Sequence, residues 1–358
     1  MKLRNLLDLA RLPYFEVKDG RLALADPSFG PVIDCHTHLA LAYGRRSKRA
    51  AQRKDWSGFV DLRKETPDVE LYLRADKPID LDVYMNRNFA KHDLAAIERD
   101  MTKDTFGEGG MRATHTLPNL LRHMSDVGVA ASVLLPIDFP FWSRNSERWL
   151  ELTRGSDSIV CFGSVHPYRF DVRQQVDALA KMGARGLKFH PAVQLVGADD
   201  RRAMKLYRLC AQYKLPILFH CGPVGIETRL GRRLSQVKRY ERAIAENPDV
   251  DFVLGHAGAL QVDEAIGYAS KYPNVYYEIA SQGLPAVERL IDSLPEGRLM
   301  TGSDWPFYHP ATAIAKVLLA TEKKNEKMRR AVLHDNAARL LKLPSRASAK
   351  RAGATAPS

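Results

Sequence analysis

The sequence contains few cysteines and no long apolar run, and these two shortages disfavour several classes of protein. Its four cysteines form no C-x-x-C pair: Cys35, Cys161, Cys210 and Cys221. A disulfide framework and a cysteine zinc site are therefore disfavoured, and we expect a protein of the reducing cytoplasm. No uninterrupted apolar stretch approaches the length of a membrane span, so we expect no membrane association.

The N-terminal stretch MKLRNLLDLARLPYF lacks the unbroken apolar core of a signal sequence, although it is basic and rich in leucine. Asp8 and Arg11 interrupt its apolar residues. The pattern instead predicts a short amphipathic helix over residues 2–12. This helix would belong to an N-terminal extension of residues 1–30.

Acidic residues are too few to balance the basic ones, and the excess lies mainly in two short runs. The 358 residues carry a formal net charge of +12. Residues 44–54 hold six basic side chains and no acid, and the end of the chain adds four more, Lys342, Arg346, Lys350 and Arg351. Neither run is interleaved with aromatic residues that stack on bases, so solvated charge is favoured over nucleic-acid binding. We expect residues 344–358 to form a disordered basic tail.

From residue 116 onward, short apolar runs alternate with amphipathic stretches of helix length. This alternation is typical of a parallel sheet with crossover helices. The predicted strands are 32–38, 130–136, 159–165, 186–190, 216–220, 251–256, 274–280 and 298–303. Eight strand–helix pairs predict an α/β protein with a (β/α)8 TIM barrel over residues 31–343, in which catalytic residues lie at the C-terminal ends of the strands.

One connection is far too long for this pattern. Residues 42–115 separate the first strand from the helix that should follow it, which identifies them as an insertion. They include a glycine-rich stretch at 107–110 and several aromatic residues, Trp56, Phe59, Tyr72, Tyr84 and Phe89. Because the insertion leaves from the face that carries a barrel's active site, it is equally compatible with a lid and with a contact between the subunits of a homodimer.

Ionisable side chains close several of the predicted strands, where an apolar run would be the ordinary pattern. They are His36 and His38 on the first strand, Lys188 and His190 on the fourth, His220 on the fifth, His256 on the sixth and Asp304 after the eighth. Because strand side chains alternate between faces, His36 and His38 point to the same side. Imidazole and carboxylate groups are ligands that Zn²⁺ and similar ions prefer, so this end of the barrel is predicted to bind metal.

Several further residues are candidates for the pocket. His166, like His190, precedes a proline at a strand end, and both substrate contact and a structural hydrogen bond remain open for the two. Trp305 could form a substrate wall, with ordinary packing as the default. Glu278 on the seventh strand is expected to support a metal ligand rather than to bind the ion itself.

In order along the chain, these motifs resemble the amidohydrolase superfamily, in the amidohydrolase-related branch that includes aminocarboxymuconate-semialdehyde decarboxylase. The similar segments are VIDCHTH, GLKFHP, PILFHCG, VLGHAG, TGSDWPF and the terminal HDNAARLLKL. The resemblance implies that one metal is held by His36, His38, His220 and Asp304, with His256 as catalytic base or carbonyl polariser. In two-metal relatives a lysine at the position of Lys188 is carboxylated and bridges the ions; with one metal it can bind an anionic substrate group.

We therefore expect a metal-dependent hydrolase that cleaves an amide, lactone or ester of a small anionic molecule, with Asp304 and His256 moving the proton. Zinc is the first expectation for the metal, and manganese and iron are alternatives. A non-oxidative decarboxylase is the second hypothesis. It would be favoured by an arginine in the pocket, for which the candidates are Arg112, Arg144 and Arg169. A non-enzymatic binding protein that uses the basic runs is the third. The sequence leaves the substrate, the number of metals and the oligomeric state open.

Overall fold

The computed structural model describes residues 1–41, 61–106, 111–140 and 143–343. Eight parallel strands of these residues form a barrel. In chain order they are β1 Val32–Thr37, β2 Val129–Leu134, β3 Ile159–Cys161, β4 Leu187–Phe189, β5 Ile217–His220, β6 Phe252–Gly255, β7 Val275–Glu278 and β8 Leu299–Met300.

The barrel is closed at both places where the continuous ladders stop. β1, β2 and β3 pair in order, and so do β4 to β8. A parallel bridge from Gly163 to Leu187 joins the two groups, and another from Thr37 to Trp305 completes the circle. The Cys35 amide also donates to the Thr301 carbonyl at 2.8 Å, which ties β1 to the end of β8. The predicted (β/α)8 barrel is thus confirmed.

Each strand lies within the run predicted for it or overlaps that run. All of them end earlier than predicted except β5, which ends at His220 as predicted. The strands are almost wholly buried because the helices cover their outer faces. The predicted ends at His38, His190 and His256 lie outside the ladders. At His256 the backbone has already turned, with a φ of 55°. His38, His190 and His256 therefore begin loops at the mouth of the barrel, where they line one cavity with the strand residues His36, Lys188 and His220.

Helices follow the strands and cover the barrel. They are α1 Lys91–Phe106, α2 Leu117–Asp126, α3 Asn145–Leu152, α4 Val172–Lys181, α5 Pro191–Gln194, α6 Arg201–Tyr213, α7 Arg229–Leu234, α8 Glu241–Ala245, α9 Val262–Ile266, α10 Leu284–Ser293, α11 Pro310–Ala320, α12 Glu326–Arg330 and α13 Asn336–Leu340. In α6, for example, Ala203, Tyr207 and Cys210 recur at helical spacing on the buried face. None of the helices in the described ranges has the length and apolarity needed to cross a membrane.

The N-terminal residues form a short strand and a 3-10 helix where a helix over 2–12 was predicted. Lys2–Leu3 pairs antiparallel with Ile79–Asp80 of the insertion, which leaves only Leu6–Arg11 for the 3-10 helix. A hairpin follows, formed by Phe15–Lys18 and Arg21–Leu24. The difference arises because the first residues find a strand partner far along the chain, which the local pattern does not contain.

The described part of the insertion lies over the C-terminal ends of the strands. The Tyr72 amide donates to the Pro306 carbonyl at 3.1 Å, and the Met85 amide donates to the Ser281 carbonyl at 2.8 Å. Residues 61–106 and 111–115 are thereby attached to the loops that follow β7 and β8. Several features of the sequence analysis lie outside the described residues: Trp56, Phe59, the basic run 44–54, the glycines at 107–110 and the tail 344–358.

Candidate metal centre

A cavity of about 720 Å³ opens at the C-terminal end of the barrel. Its walls include every residue for which the sequence predicted a metal-binding or catalytic role: His36, His38, Lys188, His220, His256 and Asp304. The strands bring these residues together although they are spread over most of the chain. This is the expected result of parallel strands that all end at the same face.

The hydrogen bonds of His36 and His38 determine which ring nitrogen of each carries the proton. His36 Nδ1 lies 2.8 Å from Glu278 Oε1, and His38 Nδ1 lies 2.7 Å from the Leu135 carbonyl oxygen. Both partners are acceptors, so each Nδ1 donates and each Nε2 keeps its lone pair. Burial also lowers the pKa of His36 well below its ordinary value, which favours the neutral ring.

The two unprotonated Nε2 atoms face the carboxylate of Asp304. Oδ1 of Asp304 lies 3.7 Å from Nε2 of His36 and 3.5 Å from Nε2 of His38. The nitrogen lone pairs and the carboxylate oxygen are all acceptors, and no proton lies between them. Their ligand atoms fall within 4.8 Å of one another, as those of a metal site must. This donor set fits a divalent cation, which would satisfy all three groups at once.

Lys188 is close to one of these lone pairs. Its Nζ lies 3.1 Å from Nε2 of His36, in a fully buried position. Burial lowers the pKa of the Lys188 ammonium to about 8, against the opposing charges of Glu278 and Asp304. The Lys188 ammonium therefore lies within hydrogen-bond distance of His36 Nε2 and loses its proton more readily than an ordinary lysine.

Glu278 contacts His36 from outside the cavity and is not among the residues that line it. Besides the proton of His36, Oε1 accepts the His256 amide at 2.5 Å, and Oε2 accepts the Ala280 amide at 2.7 Å. Burial raises the pKa of Glu278 to about 8, and these two amide hydrogen bonds oppose the rise. His36, His256 and Glu278 also form a cluster with metal-binding spacing. Because the carboxylate oxygens of Glu278 already accept three hydrogen bonds, we assign it the orientation of His36 and not an ion.

His220 and His256 lie side by side in the cavity, with ring centroids 4.8 Å apart. His256 Nδ1 donates to the Ala280 carbonyl at 3.2 Å, so its Nε2 is unprotonated. Burial lowers the pKa of His256 to about 4, despite the nearby charge of Asp304. His256 is thus a neutral proton acceptor in the cavity.

Backbone strain is concentrated around the same residues. His256, Ser281 and Asp304 have φ values of 55°, 63° and 64°, which are uncommon for residues with a side chain. Such conformations persist only where surrounding contacts determine them, and they are found preferentially at active sites. Here they aim the His256 and Asp304 side chains into the mouth of the barrel.

The remaining predicted pocket residues have different surroundings. His190 lines the cavity and stacks on His220, with ring centroids 4.0 Å apart. Its Nδ1 accepts the Val193 amide at 3.3 Å, so the proton is on Nε2. His166 and Trp305 are not among the lining residues. His166 uses both ring nitrogens within the loops, and the Trp305 indole N–H donates to His123 at 3.1 Å.

The sequence analysis did not identify the part of the cavity that the insertion contributes. Tyr72, Asn86, Lys91 and His115 all line it. A histidine or an asparagine in a long connection gives no signal by itself, because the position of such a segment depends on distant contacts. Of the candidate arginines, Arg169 pairs with Asp171 at 2.7 Å, and neither it nor Arg144 lines the cavity. The side chain of Arg112 lies outside the described residues.

Comparison with known protein families gives one match. A family model described as Amidohydrolase matches residues 146–343, more than half of the chain. The matched region contains Lys188, His220, His256 and Asp304, whereas His36 and His38 precede it. A search of curated protein sequences returns no match.

Solved structures with the same fold include two decarboxylases and a hydrolase. The 5-carboxyvanillate decarboxylase LigW from Sphingomonas paucimobilis is 14% identical over 88% of this chain and 99% of its own, with a TM-score of 0.58. The 5-carboxyvanillate decarboxylase from Novosphingobium aromaticivorans was solved in complex with manganese and 4-hydroxy-3-methoxy-5-nitrobenzoic acid. It is 14% identical over 89% of this chain and 98% of its own, with a TM-score of 0.57. A probable 2-pyrone-4,6-dicarboxylic acid hydrolase from Acinetobacter baumannii is 12% identical over 87% of this chain and 100% of its own, with a TM-score of 0.51. At such low sequence identity, the structural similarity shows a common barrel fold and nothing more specific.

Proposed function

Because this chain belongs to the amidohydrolase family, we propose that it is a metal-dependent hydrolase that cleaves an amide, lactone or ester bond of a small anionic substrate. One observation carries the proposal. The unprotonated Nε2 atoms of His36 and His38 face the Asp304 carboxylate at 3.7 and 3.5 Å, with no proton between these acceptors. Burying such a group of acceptors is unfavourable unless a cation satisfies them, and among the described residues the Lys188 ammonium is within hydrogen-bond distance of His36 Nε2 only.

His36, His38, His220 and Asp304 would hold one divalent ion. A bound ion of this kind supplies a Lewis acid that acidifies a water molecule and polarises a carbonyl group. Zinc is our first expectation, and a nitrogen and oxygen ligand set also accepts manganese or iron. The similar decarboxylase of N. aromaticivorans was crystallised with manganese. A second ion would require carboxylation of Lys188, whose Nζ lies 3.1 Å from His36 Nε2.

The protein's own groups divide the proton transfer between them. His256 is neutral and its Nε2 is unprotonated, so it accepts the proton of the attacking water. Asp304 presents Oδ1 to the two imidazoles, and its Oδ2 accepts from the Ser281 hydroxyl at 3.4 Å. This arrangement holds the carboxylate in one orientation beside the reacting group. After cleavage, protonated His256 can return the proton to the leaving group.

The cavity lining supports an anionic substrate with apolar parts. Lys188 and Lys91 both face the cavity, and His190 adds a neutral N–H donor. Apolar side chains from the barrel and the insertion complete the wall, among them Leu39, Leu94, Ile97, Ile137, Val224 and Phe307. A volume of about 720 Å³ lies within the range of small-molecule sites.

Non-oxidative decarboxylation is the second candidate. The two similar 5-carboxyvanillate decarboxylases favour it, and Lys188 is a cation that could hold a carboxylate. In this reaction the bond between a carbon and its carboxylate breaks, CO₂ leaves, and a proton is added to that carbon. The proton must come from a protonated group, whereas His256 is neutral with a pKa of about 4. With an unprotonated Nε2, His256 suits hydrolysis as a proton acceptor, and decarboxylation would need another donor, such as the Lys188 ammonium.

Elemental analysis tests the metal site. We expect about one divalent ion per chain after chelation and reconstitution with zinc or manganese. His36→Ala should remove it, because the substitution deletes a ligand atom. His92→Ala, at an exposed histidine on α1, is the matched control and should retain the ion. Absence of a bound ion in the reconstituted protein would overturn the proposed function, and about two ions would make Lys188 a bridging ligand.

Substrate screening in ¹⁸O-labelled water distinguishes the two reactions. Lactones, amides and carboxylated aromatic acids should be tested with the metal-loaded protein. Hydrolysis incorporates one labelled oxygen into the product acid and releases no CO₂. Release of CO₂ with unlabelled product would overturn hydrolysis in favour of decarboxylation.

A further inference from the structure

Tyr84 is carried by the insertion, yet it lies deep against the barrel mouth. It precedes the 3-10 helix Met85–Asn88 and packs with Val224 and Ala259. The residue is only 8% exposed. Its hydroxyl is buried and has no hydrogen-bond partner among the described residues. An unpaired buried hydroxyl is costly, and phenylalanine would fill the same space without that cost.

The segment around Tyr84 is attached to three loops of the barrel. The Met85 amide donates to the Ser281 carbonyl at 2.8 Å, in the loop after β7. The Tyr308 hydroxyl, after β8, donates to Asn86 Oδ1, and Asn86 Nδ2 donates to the Val224 carbonyl at 2.9 Å, after β5. These bonds determine where the Tyr84 ring sits and keep its hydroxyl away from solvent.

Two groups near this hydroxyl, Asp304 and Ser281, belong to the metal centre or contact it, and Tyr308 is a further neighbour. Burial raises the pKa of Tyr84 well above its ordinary value, the charge of Asp304 contributes to the rise, and the adjacent Ser281 hydroxyl opposes it. The hydrogen bond from the Met85 amide to the Ser281 carbonyl holds the two segments together at this point. Ser281 Oγ donates its own proton to Oδ2 of Asp304, at a long 3.4 Å. Its oxygen therefore still has lone pairs that can accept a proton from Tyr84.

We propose that Tyr84 is a positioning residue of the metal centre, whose hydroxyl donates to Ser281 when Asp304 binds the ion and through Ser281 fixes the carboxylate. Groups that support a metal ligand in this way orient it and raise its affinity for the ion. A chain of hydrogen bonds also polarises its members, so the bond from Ser281 to Asp304 strengthens when Tyr84 joins. The inference rests on the metal-binding part of the proposed function.

The test compares metal affinity with thermal stability in Tyr84→Phe. Metal-free protein is titrated with Zn²⁺ or Mn²⁺ in a calorimeter, and the melting temperature of the metal-free protein is measured in parallel. We expect the Kd to rise about tenfold, the low end of the range for a group that supports a ligand. The melting temperature should stay equal or rise, because the substitution deletes an unpaired hydroxyl.

Tyr207→Phe is the matched control. Tyr207 is also fully buried, but it lies on α6 and its hydroxyl donates to the Ala198 carbonyl at 2.9 Å. Its loss should lower the melting temperature and leave the Kd unchanged. The two variants thus separate support of the metal centre from a structural role. Tyr84→Phe should weaken metal binding without lowering the melting temperature, and Tyr207→Phe should lower the melting temperature without weakening metal binding.

Ser281→Ala tests the route to Asp304. If Tyr84 acts through Ser281, Tyr84→Phe should cause little further loss of affinity in a Ser281→Ala background, whereas additive losses would overturn this route. A Tyr84→Phe protein with wild-type Kd overturns the inference while leaving the proposed function intact. If the wild-type protein binds neither ion, the metal-binding function and this inference fail together.

Discussion

Two buried carboxylates lie at the mouth of the same barrel, and their surroundings are opposite. Asp138, beyond β2, accepts the Asn145 amide at 2.8 Å, the Ser146 amide at 2.9 Å and the Ser146 hydroxyl at 2.5 Å. Asp304, beyond β8, accepts a side-chain hydrogen bond only from Ser281 within the described residues, at 3.4 Å. Its other oxygen faces two imidazole lone pairs. The acceptors of Asp138 are used by the protein, and those of Asp304 are left for a cation.

This difference divides the mouth of the barrel into a structural part and a reactive part. Ser164 and Gln194 extend the structural network around Asp138, with Gln194 Nε2 donating to the Asp138 carbonyl at 2.9 Å. Burial of a charged residue at a strand end is therefore not enough to identify a site. Its hydrogen-bond partners distinguish an anchor from a ligand.

Asp304→Asn should have the largest effect on activity. We expect kcat to fall about 1,000-fold or more, together with loss of the bound metal, because a ligand and its charge are removed. Stability of the metal-free protein should not decrease, since the new amide group can donate to the imidazole lone pairs. Metal content, kcat and the melting temperature provide the measurements. Retained metal and activity would remove the distinction between the two carboxylates.

Asp138→Asn should have the opposite profile. One oxygen becomes an amide nitrogen that cannot accept, so backbone or hydroxyl donors of Asn145 and Ser146 are left unpaired. We expect the free energy of unfolding in urea to fall by about 3 kcal/mol. Metal content per folded molecule should remain unchanged. A stable variant that has lost its metal would place Asp138 in the reactive part instead.

The pair His166 and His190 gives a smaller test of the same division. Each precedes a proline after a strand, but His166 uses both ring nitrogens inside the loops, whereas Nε2 of His190 has no partner among the described residues. His190→Phe keeps the stacking on His220 and should raise KM about tenfold through loss of one donor to the substrate. His166→Phe should instead lower stability by about 1 to 2 kcal/mol. Equal effects of the two substitutions on KM would contradict this assignment.

The barrel was predictable because its pattern is local. Apolar runs and amphipathic stretches alternate, and each of the eight predicted strands overlaps an observed one. Parallel strands end at one face, so the ionisable residues that close them had to come together there. The convergence of His36, His38, His220, His256 and Asp304 on one cavity follows from this rule.

The insertion was not predictable in the same way. The segments that carry the cavity residues Tyr72 and Asn86 take their positions from backbone hydrogen bonds to Pro306, Phe307 and Ser281, which lie some 200 residues further along the chain. No local pattern encodes such contacts. The strand pair of Lys2–Leu3 with Ile79–Asp80 has the same explanation.

The sequence by itself determined the order of strands and helices, and with it which ionisable residues meet at the mouth of the barrel. The tertiary structure decided what each of them can do there. The proton of His36 is placed by Glu278, 242 positions away, and that of His38 by Leu135, 97 positions away. A strand end is a local property, whereas the state of a buried side chain depends on partners that only folding brings within hydrogen-bond distance.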